Sequence, residues 1–368
     1  MDPQCPYEAQ CGGCHWLAIP YEQQLEAKRG FVVDAFRRTA GLEVPDSIVH
    51  ASAPTHYRNR VLLRGTLAAD GTISVGFFAR ASHQQVPIGA CRNVDPLINK
   101  LIAYLRSSQL PSLASEQKFR LEVQVLPALV SLNQPHLLSI LHPIQNKSPL
   151  GPLLQALKDY PDMAWGGYQD EVLKAPPFLF EEDVGLRFYT APGLFQQVNV
   201  PLNQKVRRIL RDFAGENAVH SVLDLFCGSG NLSLALADGK RKVLGVEQVH
   251  GAIAMAKHNV RENKRNARYI SVPADRFLGE QLALKTLFDL VIVDPPRRGM
   301  KEGLEALLNL QPAYIAYLSC DPMTLSRDLL RLKEKYEIRT LHVLDFFPNT
   351  YHVETLAILH RRDDTSAA

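Results

Sequence analysis

The sequence predicts an α/β protein in two parts: a Rossmann-like, doubly wound domain over residues 186–368, and an α+β domain over residues 1–185 before it. Three observations carry this. The chain has 368 residues, more than one hydrophobic core comfortably organises. From residue 220 onward, apolar strand patterns alternate with helical spacing, the rhythm of a mostly parallel sheet. Before that point the strand patterns follow one another around short turns, the rhythm of antiparallel pairing.

In order along the first part, YEQQLEAKRGFVVDAFRRTAG (21–41) has helical spacing and stops at Gly41. YRNRVLLRGTLAADGTISVGFFA (57–79) reads as two strands around an Asp70-Gly71 turn. DPLINKLIAYLRSS (95–108) is an amphipathic helix, FRLEVQVLPALVSLN (119–133) and LLSILHP (137–143) are strands, and a Pro-bounded helix follows at 149–159. In the second part, HSVLDLFCGSGNLSLALA gives strand, Gly-rich turn and helix, and KVLGVEQVHGAIAMAKHNVREN gives strand and helix. RYISVPADRF and FDLVIVDPPRRG give strands with turns, and PAYIAYLSCDPMTLSRDLLRL gives strand and helix. TLHVLDFFPNTYHVETLAILHRR gives two strands around a Pro-containing turn, an antiparallel end to the sheet. The tail DDTSAA reads as disordered.

Composition excludes some classes. The formal charge is +3, so nucleic-acid contact would depend on local basic clusters. No apolar run reaches the ~18 residues that span a bilayer, and MDPQCPYEAQ has neither the basic nor the apolar region of a signal peptide. A cytoplasmic protein is expected, in which clustered thiols serve as metal ligands or catalysts rather than disulfides.

The turn after the first strand of the second part, Asp224-Leu-Phe-Cys-Gly228-Ser-Gly230-Asn, is placed to approach a ligand through backbone that has no side chain. Glu247 ends the next strand, where a carboxylate can accept both hydroxyls of a ribose. The third glycine of a dinucleotide fingerprint is missing, and Asp224 would repel a pyrophosphate. Both features favour the cationic methyl donor S-adenosylmethionine over NAD. A plain tight turn remains the structural alternative.

Three further segments suggest chemistry. VIVDPPRRG (291–299) ends a core strand in Asp294 and two prolines, a rigid edge suited to holding a planar base. Amino-methyltransferases carry an aromatic residue after such a loop; here Arg297 and Arg298 follow, which suits phosphate contacts. Cys320 lies between a strand end and a helix start, where a thiol is expected to have a depressed pKa and act as nucleophile. Glu354 opens an apolar strand, where a carboxylate should have a raised pKa and could act as a base. A methyl donor, a thiol and a base together suit methylation of pyrimidine C5, a poor nucleophile until a thiolate adds to C6.

LFCGSGN, VDPPRRG, YLSCDP and FFPNTYHVETLAIL, in that order, resemble the successive motifs of the RNA (uracil-C5)-methyltransferases, and GLFQQVN (193–199) resembles the segment preceding their catalytic domain. The resemblance implies Cys320 as nucleophile and Glu354 as proton-abstracting base. It places Gln197, Phe226, Gly228, Asn231, Glu247, Asp275 and Asp294 around cofactor and uracil, with Gln197 and Asp294 at the uracil edge.

Cys5, Cys11 and Cys14, in CPYEAQCGGCHW, have a C-x5-C-x2-C spacing that by itself leaves iron–sulfur and four-thiolate zinc both open. The ribosomal branch of the family carries an iron–sulfur cluster. The resemblance therefore implies a [4Fe–4S] cluster of structural role on these three and Cys91. Many members begin with a small RNA-binding β-barrel, whereas this sequence starts at the cysteine motif. That resembles the shorter subfamily acting on the loop uridine U747 of 23S rRNA, and disfavours the longer enzymes for other sites. The expected partner is 23S rRNA met before ribosome assembly is complete, with no DNA or membrane partner and a monomeric enzyme. The candidate phosphate contacts are Arg58, Arg60 and Arg64, alternating along one strand, with Arg297 and Arg298; a second basic group runs from Lys257 to Arg268.

Overall fold

The computed structural model describes residues 5–145, 147–284, 286–301 and 303–362. The tail expected to be disordered lies outside the described residues. Among the described residues no helix is long and apolar enough to cross a membrane.

The second part is built on an eight-stranded sheet. Its spatial order is Ile48–His50, Tyr336–Leu344, Glu354–Arg361, Tyr314–Ser319, Leu290–Val293, Ser221–Leu225, Lys242–Glu247 and Ala267–Ser271. Glu354–Arg361 runs antiparallel to both neighbours, and the remaining pairings are parallel. Parallel strands are covered on both faces, so they read as unbroken apolar runs. All four residues of Leu290–Val293 are accordingly buried. Successive side chains point to opposite faces: Val291 and Val293 enter one core with Val32, Phe36 and Leu325, while Leu290 and Ile292 enter another with Val206 and Leu210.

The first part contains a six-stranded sheet, mainly antiparallel, in the order Gln85–Pro87, Ile73–Phe78, Arg60–Leu67, Gln117–Val125, Leu137–Pro143 and Met163–Tyr168. The Asp70-Gly71 turn is where expected; Gly71 has φ +88° and its absent Cβ would lie 1.9 Å from the Leu110 carbonyl oxygen. The strand expected to run to residue 133 stops at Val125, because Pro127 cannot donate to the ladder and starts a short helix, Pro127–Ser131.

Two further elements differ from expectation. The Gly-rich turn leads not into a helix but into a chain of turns and one 3₁₀ turn, Leu234–Leu236. Gly228 and Gly230 both have positive φ, and Ser233 is held by the Tyr269 hydroxyl at 3.0 Å. In addition, the early segment joins the later sheet. Ile48–His50 pairs in parallel with His342–Leu344, and the helix Tyr21–Ala35 buries Val32 in the core beneath it.

Candidate active site

The reversal in strand order falls between Ser221–Leu225 and Leu290–Val293, and a crevice forms at the carboxyl ends of strands at such a point. There the chain encloses a pocket of about 830 Å³. It gathers Gln197, Phe226, Gly228, Glu247, Asp275, Asp294, Cys320 and Glu354, together with Arg58, Arg297 and Arg298.

Strand pairing brings the two principal groups together. Ser319 pairs with Thr355 in antiparallel register, so Cys320 and Glu354, one residue further on each strand, end up at the same edge. Glu354 is 7% exposed, and burial pushes its carboxyl up to about 8, with the charge of Asp294 adding and Arg297 opposing. Burial likewise pushes Asp294 up to about 7. The expected depressed thiol pKa at Cys320 is not found. Burial, then the Glu354 charge, push it up to about 11 against Arg297. The helix Pro322–Leu332 offers the thiol no free N-terminus, because the Asp321 carboxylate accepts from the amides of Met323 and Thr324 at 2.9 and 3.1 Å.

Opposite lies the wall that suits a nucleoside. Phe226 is forced to φ +63° as the strand ends. Glu247 accepts from the Val249 amide at 2.9 Å and from Gly228 at 3.4 Å, so its carboxylate is aimed into the pocket mouth beside the glycine turn. Nothing lies within 4 Å of the Cβ that Gly228 lacks, and a side chain there would occupy space beside the pocket wall. Asp224 beneath the turn is pushed up to about 7 by burial, with hydrogen bonding to Ser233 opposing and Asp294 adding. An acidic, glycine-lined wall of this kind fits S-adenosylmethionine, whose sulfonium is cationic and which has no pyrophosphate.

Three predicted contacts lie elsewhere. Asn231 faces away from the pocket and exchanges hydrogen bonds with Asn203, while its oxygen also accepts from Arg207, each at 2.9 Å. It pins the turn to the helix Val200–Glu216. Arg60 pairs with Glu122 at 2.7 Å and donates to the Leu194 carbonyl; Arg64 lies 4.2 Å from the Phe78 ring centroid. The basic group from Lys257 to Arg268 does not line the pocket. The arginine loop is anchored from behind, where Arg327 donates to the Arg298 carbonyl and Met300 N donates to Asp328. Gly299, at φ +76°, has Asp328 Oδ2 only 2.5 Å from its absent Cβ, so a larger residue would break that anchor.

The iron–sulfur expectation is overturned. Cys5, Cys11, Cys14 and Cys91 do line a common cavity of about 270 Å³. Yet among the described residues no group of three or more His, Cys, Asp or Glu is arranged to hold a metal ion. The sulfurs have separate partners: Asn93 Nδ2 donates to Cys14 Sγ at 3.1 Å and Gly13 N to Cys11 Sγ at 3.4 Å. Burial, then the charges of Cys91, Cys11 and Cys5, push the Cys14 thiol up to about 12. Neither a [4Fe–4S] nor a zinc site is supported by these four residues.

The sequence did not reveal the clamp behind the Glu354 loop. Lys28, fully buried, donates to Asp345 and to the Phe347 carbonyl, and Tyr21 donates to Asp345 at 2.8 Å. Gln24 accepts from the Asn349 amide at 2.8 Å, and Asn349 sits at φ +65°. Here residues of the first thirty hold the turn that precedes Glu354. Gln24 and Lys28, four residues apart on the helix face that also buries Val32 and Ala35, are the signal that could have been read.

A family profile described as tRNA (uracil-5-)-methyltransferase matches residues 181–362. An "uncharacterized RNA methyltransferase" of Thermosynechococcus vestitus is 32% identical, over 97% of this chain and 84% of that one. The 23S rRNA (uracil(1939)-C(5))-methyltransferase of Tolumonas auensis is 30% identical, over 98% of this chain and 82% of that one. The chain belongs to the RNA (uracil-C5)-methyltransferase family. The solved tRNA (uracil-54, C5)-methyltransferase of Pyrococcus abyssi, in complex with S-adenosyl-L-homocysteine, shares the fold with a TM-score of 0.69 and 23% identity, covering 96% of this chain and 86% of that one.

This is therefore an S-adenosylmethionine-dependent enzyme that methylates C5 of an RNA uridine. The U747 expectation is not supported. It rested on the resemblance to shorter members that start at the cysteine motif, and a relative named for a different site aligns with nearly the whole of this chain.

Proposed function

We propose that this enzyme forms a covalent Cys320–uracil intermediate on a 23S rRNA uridine of the U1939 type. The observation that carries the mechanism is the joint placement of Cys320, Glu354 and Asp294 in one pocket that also contains the glycine turn and Glu247. The rRNA reading is supported by the 30% identical relative named for that site. S-adenosylmethionine, when bound, supplies an electrophilic methyl group. Glu247 would accept from the ribose hydroxyls, Phe226 and Gly228 would border the nucleoside, and Asp275 would close its far side. Gln197 and a protonated Asp294 would pair with the uracil edge, since a carboxyl with a pKa of about 7 can donate as well as accept. Cys320 Sγ releases its proton to solvent and bonds to C6, breaking the C5–C6 double bond, whose electrons make C5 nucleophilic. After C5 gains the methyl, Glu354 takes the C5 proton, the C5–C6 double bond reforms and the sulfur leaves. The uridine must first be unstacked from its RNA. Arg58, Arg297 and Arg298 would hold the flanking phosphates.

A 23S rRNA transcript containing 5-fluorouridine tests this, because fluorine cannot leave C5 as a proton. A denaturation-resistant protein–RNA adduct is expected with the methyl donor present and is lost in Cys320→Ala. A substrate that is methylated in its uridine form but gives no adduct in its fluorinated form rejects the covalent route. Mapping 5-methyluridine in 23S rRNA and tRNA from a deletion strain decides the substrate. Loss confined to the tRNA T-loop would reject the rRNA reading.

A further inference from the structure

We infer that Tyr351 is a stacking platform for an RNA base adjacent to the flipped uridine, held in place by His15 and His352. The inference rests on the reading of this pocket as the uridine site. It starts from a run of rings that leads out of the pocket. Arg58 lies 5.7 Å from the Phe347 ring centroid, Phe347 is 6.0 Å from His352, and all three line the pocket. His352 touches Tyr351 at 4.4 Å between centroids, and Tyr351 touches His15 at 4.6 Å. The last two contacts are tilted, at 41° and 51°, so the neighbours brace the tyrosine ring without sandwiching it. Tyr351 remains 50% exposed, one ring beyond the pocket wall.

An exposed, braced aromatic ring beside a cationic pocket mouth matches how proteins hold unstacked nucleotides. Arg58 and Arg297 line the pocket, and the charge of Arg80 acts on His15. Burial, with Arg80 and Arg297 respectively, lowers the pKa of His15 and His352 and favours their neutral rings. A base lifted from its own stack loses its neighbours, and Tyr351, next in sequence to the pocket-lining His352, offers a replacement. The ring set is assembled from two distant segments, the cysteine-motif residue His15 and the loop before Glu354.

The test uses the full-length enzyme and a 12-nucleotide single-stranded RNA with one uridine, carrying 2-aminopurine on either side of it in turn. Wild type should quench one of the two probes on binding. Tyr351→Ala should abolish that quenching and raise Kd and KM for RNA roughly 5- to 150-fold, the usual worth of one stacked base. Its kcat at saturating RNA and its affinity for S-adenosylmethionine should stay at the wild-type values. Tyr351→Trp should restore binding, and His15→Ala should weaken it by a smaller factor. Wild-type Kd, KM and quenching in Tyr351→Ala would overturn the inference. If wild type methylates no uridine in any RNA, the activity reading fails by itself. The ring dependence of RNA binding still decides whether Tyr351 stacks.

Discussion

Two sets of buried carboxylates behave differently in this molecule. In the pocket, Glu354 and Asp294 are pushed up to about 8 and 7 by burial, and Arg297 only partly offsets this at Glu354. In the framework, Asp345 pairs with the buried Lys28, while Glu181 and Asp183 both meet the buried Arg207 at 2.7 and 2.9 Å. The framework carboxylates are each paired with a buried cation, although burial still pushes Glu181 up against Arg207, and they hold the early segment and the glycine turn in place. The pocket groups are poised between charged and neutral forms near neutrality, which a base needs and a scaffold does not. A dedicated buried cation is what distinguishes the framework set from the pocket set.

Removing chemistry from the pocket should have the largest effect. Cys320→Ala should lower methyl transfer on the order of 10⁴-fold or more, with affinity for S-adenosylmethionine unchanged, as read by single-turnover transfer and calorimetry. Glu354→Gln should slow product formation by roughly 10²- to 10⁴-fold while the methylated Cys320 adduct accumulates on ordinary uridine RNA. Loss of adduct together with product would show that Glu354 acts before, not after, methyl transfer.

Removing a framework cation should instead cost stability. Arg207→Ala leaves buried Glu181 with only Gln204 and Asp183 with only the half-exposed Arg208, and should lower unfolding free energy by about 3–5 kcal/mol, measured by urea titration. Lys28→Ala should behave similarly and also slow transfer, because it frees the turn ahead of Glu354. If either variant were as stable as wild type, the contrast between the two sets would collapse.

The smallest effect separates the sets by pH. The Glu354 carboxyl sits near 8 in the fold against an ordinary 4.5, so the fold favours its neutral form. Its destabilising contribution is absent below about pH 4.5, grows as pH rises and levels off above 8. Glu354→Gln should therefore match wild type in Tm at pH 4 and exceed it by a few degrees at pH 9. Glu354 ionises near 8 while the Asp294 proton that pairs with uracil is lost near 7, so wild-type transfer should peak between the two and fall on either side.

Much of this was legible because it is local. A four-residue apolar run ending in Asp-Pro-Pro, a thiol closing a strand and a glycine turn each carry their meaning within a few positions. The convergence of Cys320, Glu354 and Asp294 follows from sheet order once the strands are recognised. Other expected contacts have different partners in the fold. Asn231 sits one residue from the turn yet bonds away from the pocket. Arg60 shares a strand face with Arg64 but spends its charge on Glu122. The spacing of three cysteines foretold that they would gather, not that their sulfurs would converge on a metal.

The sequence by itself determined the strand–helix alternation, the glycine turn and the types of reactive group at the strand ends, because backbone conformation and side-chain periodicity are short-range properties. The tertiary structure alone decided their state. It raised the Cys320 thiol where a helix end was expected to lower it, placed Glu354 beside Asp294, and tied Lys28 to Asp345 across the chain. Desolvation and charge pairing depend on what surrounds a group from every side, and those neighbours come from segments hundreds of residues apart.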